Sequence, residues 1–423
     1  MFTKWRHLPT WQTNLWTAVA AELLTLLGFQ AGFILIPYYI QEMGITDATQ
    51  VAAFTGTYQS LGSLGLAIFT PIWGMLGDRH GRKSMLVRAT AATAVIVMLT
   101  GLARTPTQLL VLRLLQGCLT GTPAAASALV AAGSPKEHLA YALGLIQTSL
   151  FIGQSLGPMF GGYIGDAYGY RATFFVSGAI ILASLVLVIL VAREPEREPL
   201  VEVERAQAAR KRPLDVLRGV ASPRLLALIG MTLTFNLTFS FLSPIIPLLI
   251  QGLVADSGRL ASTAGTITGV TAFASALSAL IVGKLSTRFG CSRTLMGCSI
   301  GTAVLYLPLV LVRSVLGLGT LLGIQGLFRG GISPSTSAMV VEVSPRDKTG
   351  TVLGFNSSAA SVGYGLGPIL GAALLSVSSS STVFFVACGM MGLVTVGVFL
   401  ADKLAGSDVQ PSGQPVVEAQ PKA

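Results

Sequence analysis

The 423-residue chain is 52% hydrophobic and only 11% charged, with a net charge of +10 and a mean hydropathy of +0.70. Soluble domains carry about a quarter charged residues, so this composition excludes an ordinary water-soluble globule. The basic excess would suit a nucleic-acid surface if it formed one stripe; it is divided among loops instead, which argues against nucleic acid as a partner.

Stretches such as 91–102, 180–192 and 383–400 are apolar around every helical face, without the single-face periodicity of a surface helix. In chain order, spans are predicted near residues 15–40, 51–74, 85–103, 107–131, 140–164, 171–192, 223–250, 262–283, 293–312, 316–341, 351–376 and 382–402, each close to the ~20 residues that cross ~30 Å of hydrocarbon. Lipid offers no partner to backbone polar groups, and the ~10-residue alternation of a barrel is missing, so the chain reads as an all-α membrane protein of about twelve transmembrane helices. The first span follows Asn14 and runs too long for a cleavable leader, so it is expected to remain as a span.

Lys and Arg sort by side. One set of loops holds Arg79, Arg82, Lys83, Arg88, Lys136, the run from Arg193 to Arg224, Lys284, Arg288, Arg293, Arg346 and Lys348; the other holds Arg104, Arg171, Arg259 and Arg313. With both tails included, about 22 of the 28 fall on the first side, which predicts cytoplasmic termini and a multi-pass protein of the cell membrane. Cys118, Cys291, Cys298 and Cys388 lack metal-ligand spacing and read as packing residues. His7, His80 and His138 fall at that side's loops and helix ends, where solvation is the simplest account. No metal or cofactor is expected.

The chain repeats itself at an offset of about 210 residues. Ile36-Pro37-Tyr38-Tyr39-Ile40-Gln41 returns as Ile246-Pro247-Leu248-Leu249-Ile250-Gln251. Gly74-x-Leu76 with Arg79-x-Gly81 returns as Gly283-x-Leu285 with Arg288-x-Gly290. Gly153-x-x-x-Gly157-Pro158-x-x-Gly161 returns as Gly363-x-x-x-Gly367-Pro368-x-x-Gly371. Residues 1–192 and 223–402 are therefore expected to form two related six-helix halves. Residues 193–222 would be a charged cytoplasmic linker, with an exposed helix possible around Val203 to Lys211, and 403–423 a disordered tail.

Three motifs carry the functional reading. Gly74-Met75-Leu76-Gly77-Asp78-Arg79-His80-Gly81-Arg82-Lys83 closely resembles the loop signature of the major facilitator superfamily. Its glycines allow a tight turn between helices, and its lone acid sits among bases. The resemblance implies the major facilitator fold, two six-helix halves about a pseudo-two-fold axis, with Asp78 and Arg82 latching the halves on the cytoplasmic face. The repeat image has Thr287 and Cys291 at those two places, so the latch is expected to be asymmetric. Leu110-x-x-Arg113-x-x-Gln116-Gly117 resembles the superfamily's membrane-embedded arginine motif, linked there to proton transfer; the alternative is that Arg113 snorkels to the interface. Gly153-Gln154-Ser155-Leu156-Gly157-Pro158-Met159-Phe160-Gly161-Gly162 resembles the antiporter motif of the superfamily's drug:proton exchangers, and a helix-packing face is its plainer reading. The order of motifs is similar to that of the twelve-span drug:proton antiporters, including bacterial multidrug exporters. The first span has Ile34 where the seventh has Pro244.

Glu22 is the acidic residue predicted well inside a span, and is the first candidate for binding and releasing a proton as water access changes; the alternative is a hydrated carboxylate at the rim. Cavity candidates are Gln30, Tyr58, Gln59, Gln147, Gln154, Asn236, Gln325, Arg329, Asn356 and Tyr364, with Phe29, Phe235 and Phe239 close by, a mixed amide and aromatic surface suited to bulky amphipathic ligands. No GxxxxGK[ST] loop is present, so a gradient is the expected energy source. The reading is a monomeric, non-enzymatic exporter of amphipathic or cationic small molecules in exchange for protons. The alternative within the superfamily is a transporter of a specific metabolite, sugar or siderophore; from another class, a membrane sensor or enzyme finds no catalytic constellation to support it.

Overall fold

Proline and glycine decide where these helices run on and where they break. The structure, a computed structural model, describes residues 9–195, 222–254, 257–344 and 349–408, and the secondary structure of these residues is entirely helical. The first span is α1 (Thr10–Phe33) continued by the short α2 (Ile36–Glu42), with Pro37 in α2's opening turn, where a missing N–H leaves no bond unmade. Helix α3 (Ala48–His80) starts on Asp47, whose carboxylate accepts from Gln50 N at 2.9 Å, and ends at Gly81. Gly81 has φ 101° and begins α4 (Arg82–Leu102) with no intervening loop.

The fourth span is again two pieces, α5 (Pro106–Leu119) and α6 (Thr122–Gly133), parted by Gly121 at φ 113°. A capping box at Thr105 and Gln108 fixes the start of α5. Helices α7 (Leu139–Tyr168) and α8 (Tyr170–Val191) complete the first half. The second half repeats the plan with α9 (Pro223–Phe241), α10 (Ile246–Leu253), α11 (Leu260–Phe289), α12 (Cys291–Leu309), α13 (Val315–Arg329), α14 (Ile332–Val343), α15 (Thr349–Val377) and α16 (Ser380–Asp408).

The breaks fall in repeat register: 34–35 with 242–245, and 120–121 with 330–331. The tight turn at Gly81 is matched by Gly290 at φ 87°, so the repeated Arg-x-Gly marks a left-handed glycine that a side chain would strain. Ten of these stretches are long and apolar enough to cross a membrane. The predicted count of twelve adds 139–168 and 291–309, which pack in the same bundle, α7 against α1 and α11, and α12 against α16. Helix α16 runs to Asp408, beyond the predicted boundary at 402; residues 409–423 and the suggested helix at 203–211 lie outside the described residues.

At one end the halves meet through their matching segments. The Gln41 and Gln251 amides hydrogen-bond reciprocally at 2.8 and 2.7 Å, and Tyr38 donates its hydroxyl to Pro247 O at 3.1 Å. Asp166, at the end of α7, accepts from Ala261 N at 3.0 Å and Ser262 N at 2.8 Å, capping α11 of the other half. Deeper in, Gly162 and Gly265 let α7 and α11 touch backbone to backbone, and Gly56 does so for α3 against Pro368 of α15. Toward the opposite ends of the same four helices, Gly74, Gly144, Gly283 and Gly354 have no heavy atom within 4 Å of where a Cβ would stand. Among the described residues, the contacts between the halves gather toward the end carrying α2 and α10, which is shut, and the other is termed the splayed end. Replacing Gln41 by Leu strands the Gln251 amide, which should weaken the shut end by about 1 kcal/mol, roughly fivefold in population. Distance distributions between spin labels at Thr46→Cys and Arg313→Cys are the measurement that checks this.

Candidate functional site: a chamber between the halves

Between the halves lies a cavity of about 600 Å³, walled by residues of both. Spans that are apolar all round do not show from sequence which face looks inward, so the chamber sorts the candidates. Gln30, Gln59, Arg113, Gln154, Gln325, Arg329 and Tyr364 line it, with Phe29 and Phe239. Tyr58, Gln147, Asn236 and Asn356 are not among its lining. Asn236 bonds back to Thr232 O at 2.7 Å, Asn356 accepts from Thr232 Oγ1 at 2.7 Å, and Gln147 is exposed on α7.

Arg113 does not snorkel. It is 9% exposed, its Nη1 donates to Gln116 Oε1 at 2.7 Å one turn on, and its guanidinium carbon stands 5.0 Å from the Tyr58 ring and 5.3 and 5.2 Å from those of Phe29 and Phe33. Its Nε has no hydrogen-bond partner. Space for it is made by Gly62 of α3: a Cβ there would stand 2.5 Å from the guanidinium carbon. Sequence reasoning missed Gly62 because its role exists only once α3 and α5 are side by side. Tyr58 therefore borders the chamber through Arg113 rather than as lining. In the other half, Arg329 lies over Phe239 at 3.7 Å. No ion pair reaches Arg113 or Arg329, and no Asp or Glu lines the chamber among the described residues.

Glu22 is off the chamber wall. It is 1% exposed, buried rather than hydrated at a rim, and accepts from Thr122 Oγ1 at 3.2 Å. Thr122 opens α6, so the carboxyl sits where the fourth span breaks. The same break frees carbonyls that two aromatic-paired groups collect: Trp73 Nε1 donates to Cys118 O at 2.6 Å, and Arg88, stacked 3.4 Å over Trp73, donates to Leu119 O at 3.1 Å.

The last two residues of the loop motif make bonds within their own half. Backbone N–H groups of Arg82 and Lys83, at the start of α4, donate to the Glu194 carboxylate at 2.5 and 2.9 Å, and Lys83 Nζ reaches Ile189 O at 2.9 Å. Asn14 clasps the neighbouring Arg193 backbone in both directions at 2.8 Å. Gly74 and Gly81 flank this joint, with Arg79 on the last turn of α3; the side chain of Asp78 lies outside the described residues. The first residues of the expected linker are thus fastened to the first half, which the charge run 193–222 did not reveal.

The ten-residue motif of α7 has two working faces. Gly153, Gly157 and Gly161 press on α1 at Leu26, Leu27, Gln30 and Ala31, inside one half. Gly162 meets Ala261, the Pro158 carbonyl meets Gly265, and Ser155 donates to Gly269 O at 2.9 Å, all across to the other half.

Membrane helices in two repeat-related halves around a shared chamber are the build of a solute transporter, not of an enzyme. The family model described as Major Facilitator Superfamily matches residues 18–258 and 245–421, and the chain belongs to that superfamily. It is 31% identical over 377 residues to "Multidrug resistance protein MdtG" of Rahnella sp. (strain Y9602), covering 89% of this chain and 90% of that protein. In fold it resembles a bacterial homologue of the human lysosomal transporter Spinster (TM-score 0.72, 17% identity, 94% of this chain and 97% of the other). It also resembles the nucleoside transporter NupG (TM-score 0.71, 14% identity, 92% and 99%).

Proposed function

We propose that this protein exports amphipathic small molecules across the cell membrane in exchange for protons, by alternating access at the chamber. The observation that carries the reading is a mixed aromatic and amide chamber lying between halves that meet at one end and part at the other. Relatives named multidrug resistance proteins support the export branch. The distribution of Lys and Arg puts both termini in the cytoplasm, so the splayed end faces inward and the molecule stands ready to load cargo from the cell. Rocking of the halves about the chamber would close that end and part the Gln41–Gln251 end.

In this reading the glycines of α7 are the surfaces on which the halves turn, Glu22 and Arg113 belong to proton coupling, Glu22 as the group that exchanges the proton and Arg113 as a fixed charge in the chamber wall, and Asp78 with Arg82 latches the inner end in the outward-facing state. Chamber contacts with cargo come from Gln30, Gln59, Gln325, Arg329 and Tyr364; Gln147, exposed on α7 toward the splayed end, lies on the entry route, and Asn356 holds α15 to α9. The protein works as a monomer with no cofactor.

The test is efflux of a panel of fluorescent amphipathic dyes from proteoliposomes under an imposed proton gradient. Efflux that requires the gradient and collapses with a protonophore is the expected result. Gradient-independent efflux removes proton exchange from the reading; no efflux of any dye turns it toward the transport of one specific metabolite.

A further inference from the structure

A chamber set among apolar helices normally balances any charge it holds, because an unpaired ion away from bulk water is expensive. This chamber holds two guanidinium groups and no carboxylate among its lining residues. One comes from each half, Arg113 from α5 and Arg329 from α13, helices that are repeat images of one another. Arginine keeps its charge at any working pH, so neither group relieves the imbalance by shedding a proton.

The neighbours hold these cations in place without neutralising them. Arg113 is braced by three aromatic rings and by the neutral amide of Gln116, and Gly62 keeps the facing helix surface free of a side chain. Arg329 is braced by Phe239, itself edge-on to Tyr364 at 5.5 Å. Ring faces attract a cation but leave the hydrogen-bonding edge of the guanidinium unused. The Arg113 Nε is buried and donates to nothing. The structure therefore presents two oriented cations with no counter-charge in the chamber wall, set among apolar and aromatic side chains.

We infer that the cargo is an amphipathic organic anion, an aromatic or aliphatic body bearing a sulfonate, carboxylate or phosphonate, bound between Arg113 and Arg329. The inference rests on the export reading above and specifies its cargo. The anionic head supplies the counter-charge the wall lacks, and its oxygens accept from the guanidinium edges. The body lies on Phe29, Phe33 and Phe239, and the amides of Gln30, Gln59 and Gln325 adapt to the head. An organic cation in the same place faces two like charges in a medium of low dielectric. Because the two arginines belong to different halves, a bound anion also ties the halves to a common centre, and rocking must carry both guanidinium groups with it.

The experiment uses two probes of one ring system, 2-naphthalenesulfonate and 2-naphthyltrimethylammonium, with binding to the purified full-length protein followed by calorimetry and efflux from proteoliposomes. The sulfonate is expected to bind at least about tenfold more tightly than the ammonium. Arg113→Gln and Arg329→Gln should each weaken the sulfonate by about tenfold and strengthen the ammonium, reversing the preference when combined. Arg113→Lys keeps the charge and should restore part of the sulfonate affinity, and an unchanged melting temperature distinguishes lost recognition from lost fold. Equal or tighter binding of the ammonium overturns the inference, as does sulfonate affinity that survives both Gln substitutions. If the ammonium is exported and the sulfonate is not, the anion inference falls and the export reading stands. If neither is bound or moved, both fall together.

Discussion

A Gly162→Leu variant is expected to lose roughly 10- to 100-fold of its transport while melting close to wild type, whereas Gly161→Leu, one position earlier, is expected to damage the fold itself. The difference follows from direction. Gly161 faces α1 within its own half, where a Cβ would stand 2.5 Å from the Ala31 carbonyl carbon. Gly162 faces α11 of the other half, where a Cβ would stand 2.8 Å from Ser262 Cα. Both clashes are with backbone, which cannot swing aside, and overpacking of this kind costs about 1–3 kcal/mol. At Gly161 the cost applies to every conformation, because α1 and α7 stay together, so the melting temperature falls. At Gly162 it applies only while the shut end is shut. The penalty then becomes a population shift of one to two decades away from this conformation, leaving the chamber unable to reload. Thermal unfolding in detergent and spin-label distances across the Gln41–Gln251 end measure the two effects separately. Equal loss of melting temperature in both variants, or wild-type transport by Gly162→Leu, would show that α7 and α11 do not separate in the cycle.

Glu22→Gln is expected to abolish concentrative transport, at least about tenfold in the gradient a proteoliposome can sustain, while exchange of cargo down its own gradient continues. The substitution keeps volume and the acceptor oxygen that Thr122 Oγ1 reaches at 3.2 Å, and removes the exchangeable proton. A carboxyl sealed from water and attached to the break between α5 and α6 changes the charge at that joint each time it gains or loses a proton. That is a physical route from protonation to helix movement without direct contact with cargo, the distinct second site that coupling requires. Thr122→Val should slow the cycle without uncoupling it, because the carboxyl still titrates. The decisive readout is the accumulation ratio at a fixed imposed pH difference. A Gln variant that accumulates cargo as well as wild type would make Glu22 a packing residue.

The helices, their repeat and their joints were legible because they are written in local chemistry. Twelve apolar stretches, Pro37 and its image Pro247, and Gly81 with Gly290 each specify something about their own few residues. Facing was not legible. A span apolar on every side has no moment to orient it, so Gln147 and Asn236 could not be told from Gln154 and Gln325 until neighbouring helices chose the inner wall. Residues acting across long sequence distances were hidden for the same reason: Gly62 under Arg113, Asp166 on the first turn of α11, and Glu194 on the first turn of α4, 111 and 112 residues from its partners. The repeat alignment did place Gln41 opposite Gln251 in sequence, and a symmetry axis through that pair could have been suspected from it. The chamber's charge was partly legible as well, since both arginines were singled out, but the missing acid became evident only when Glu22 was seen to lie behind the wall.

Three of the side chains that clasp the shut end, two carboxamides and a phenol, bear no net charge, and the charged contact beside them is the Asp166 carboxylate on the first turn of α11. A membrane voltage does work only on charge that moves through it, about 2.3 kcal/mol per elementary charge per 100 mV. Voltage therefore does no work on these three side chains themselves, and acts on the opening of this end only through the charges that rocking displaces, among them the Asp166 carboxylate and the chamber arginines. Electrical sensitivity of transport is to be sought at Asp166 and in the chamber, where two arginines ride with the cargo, so that the current carried per cycle reports what is bound there.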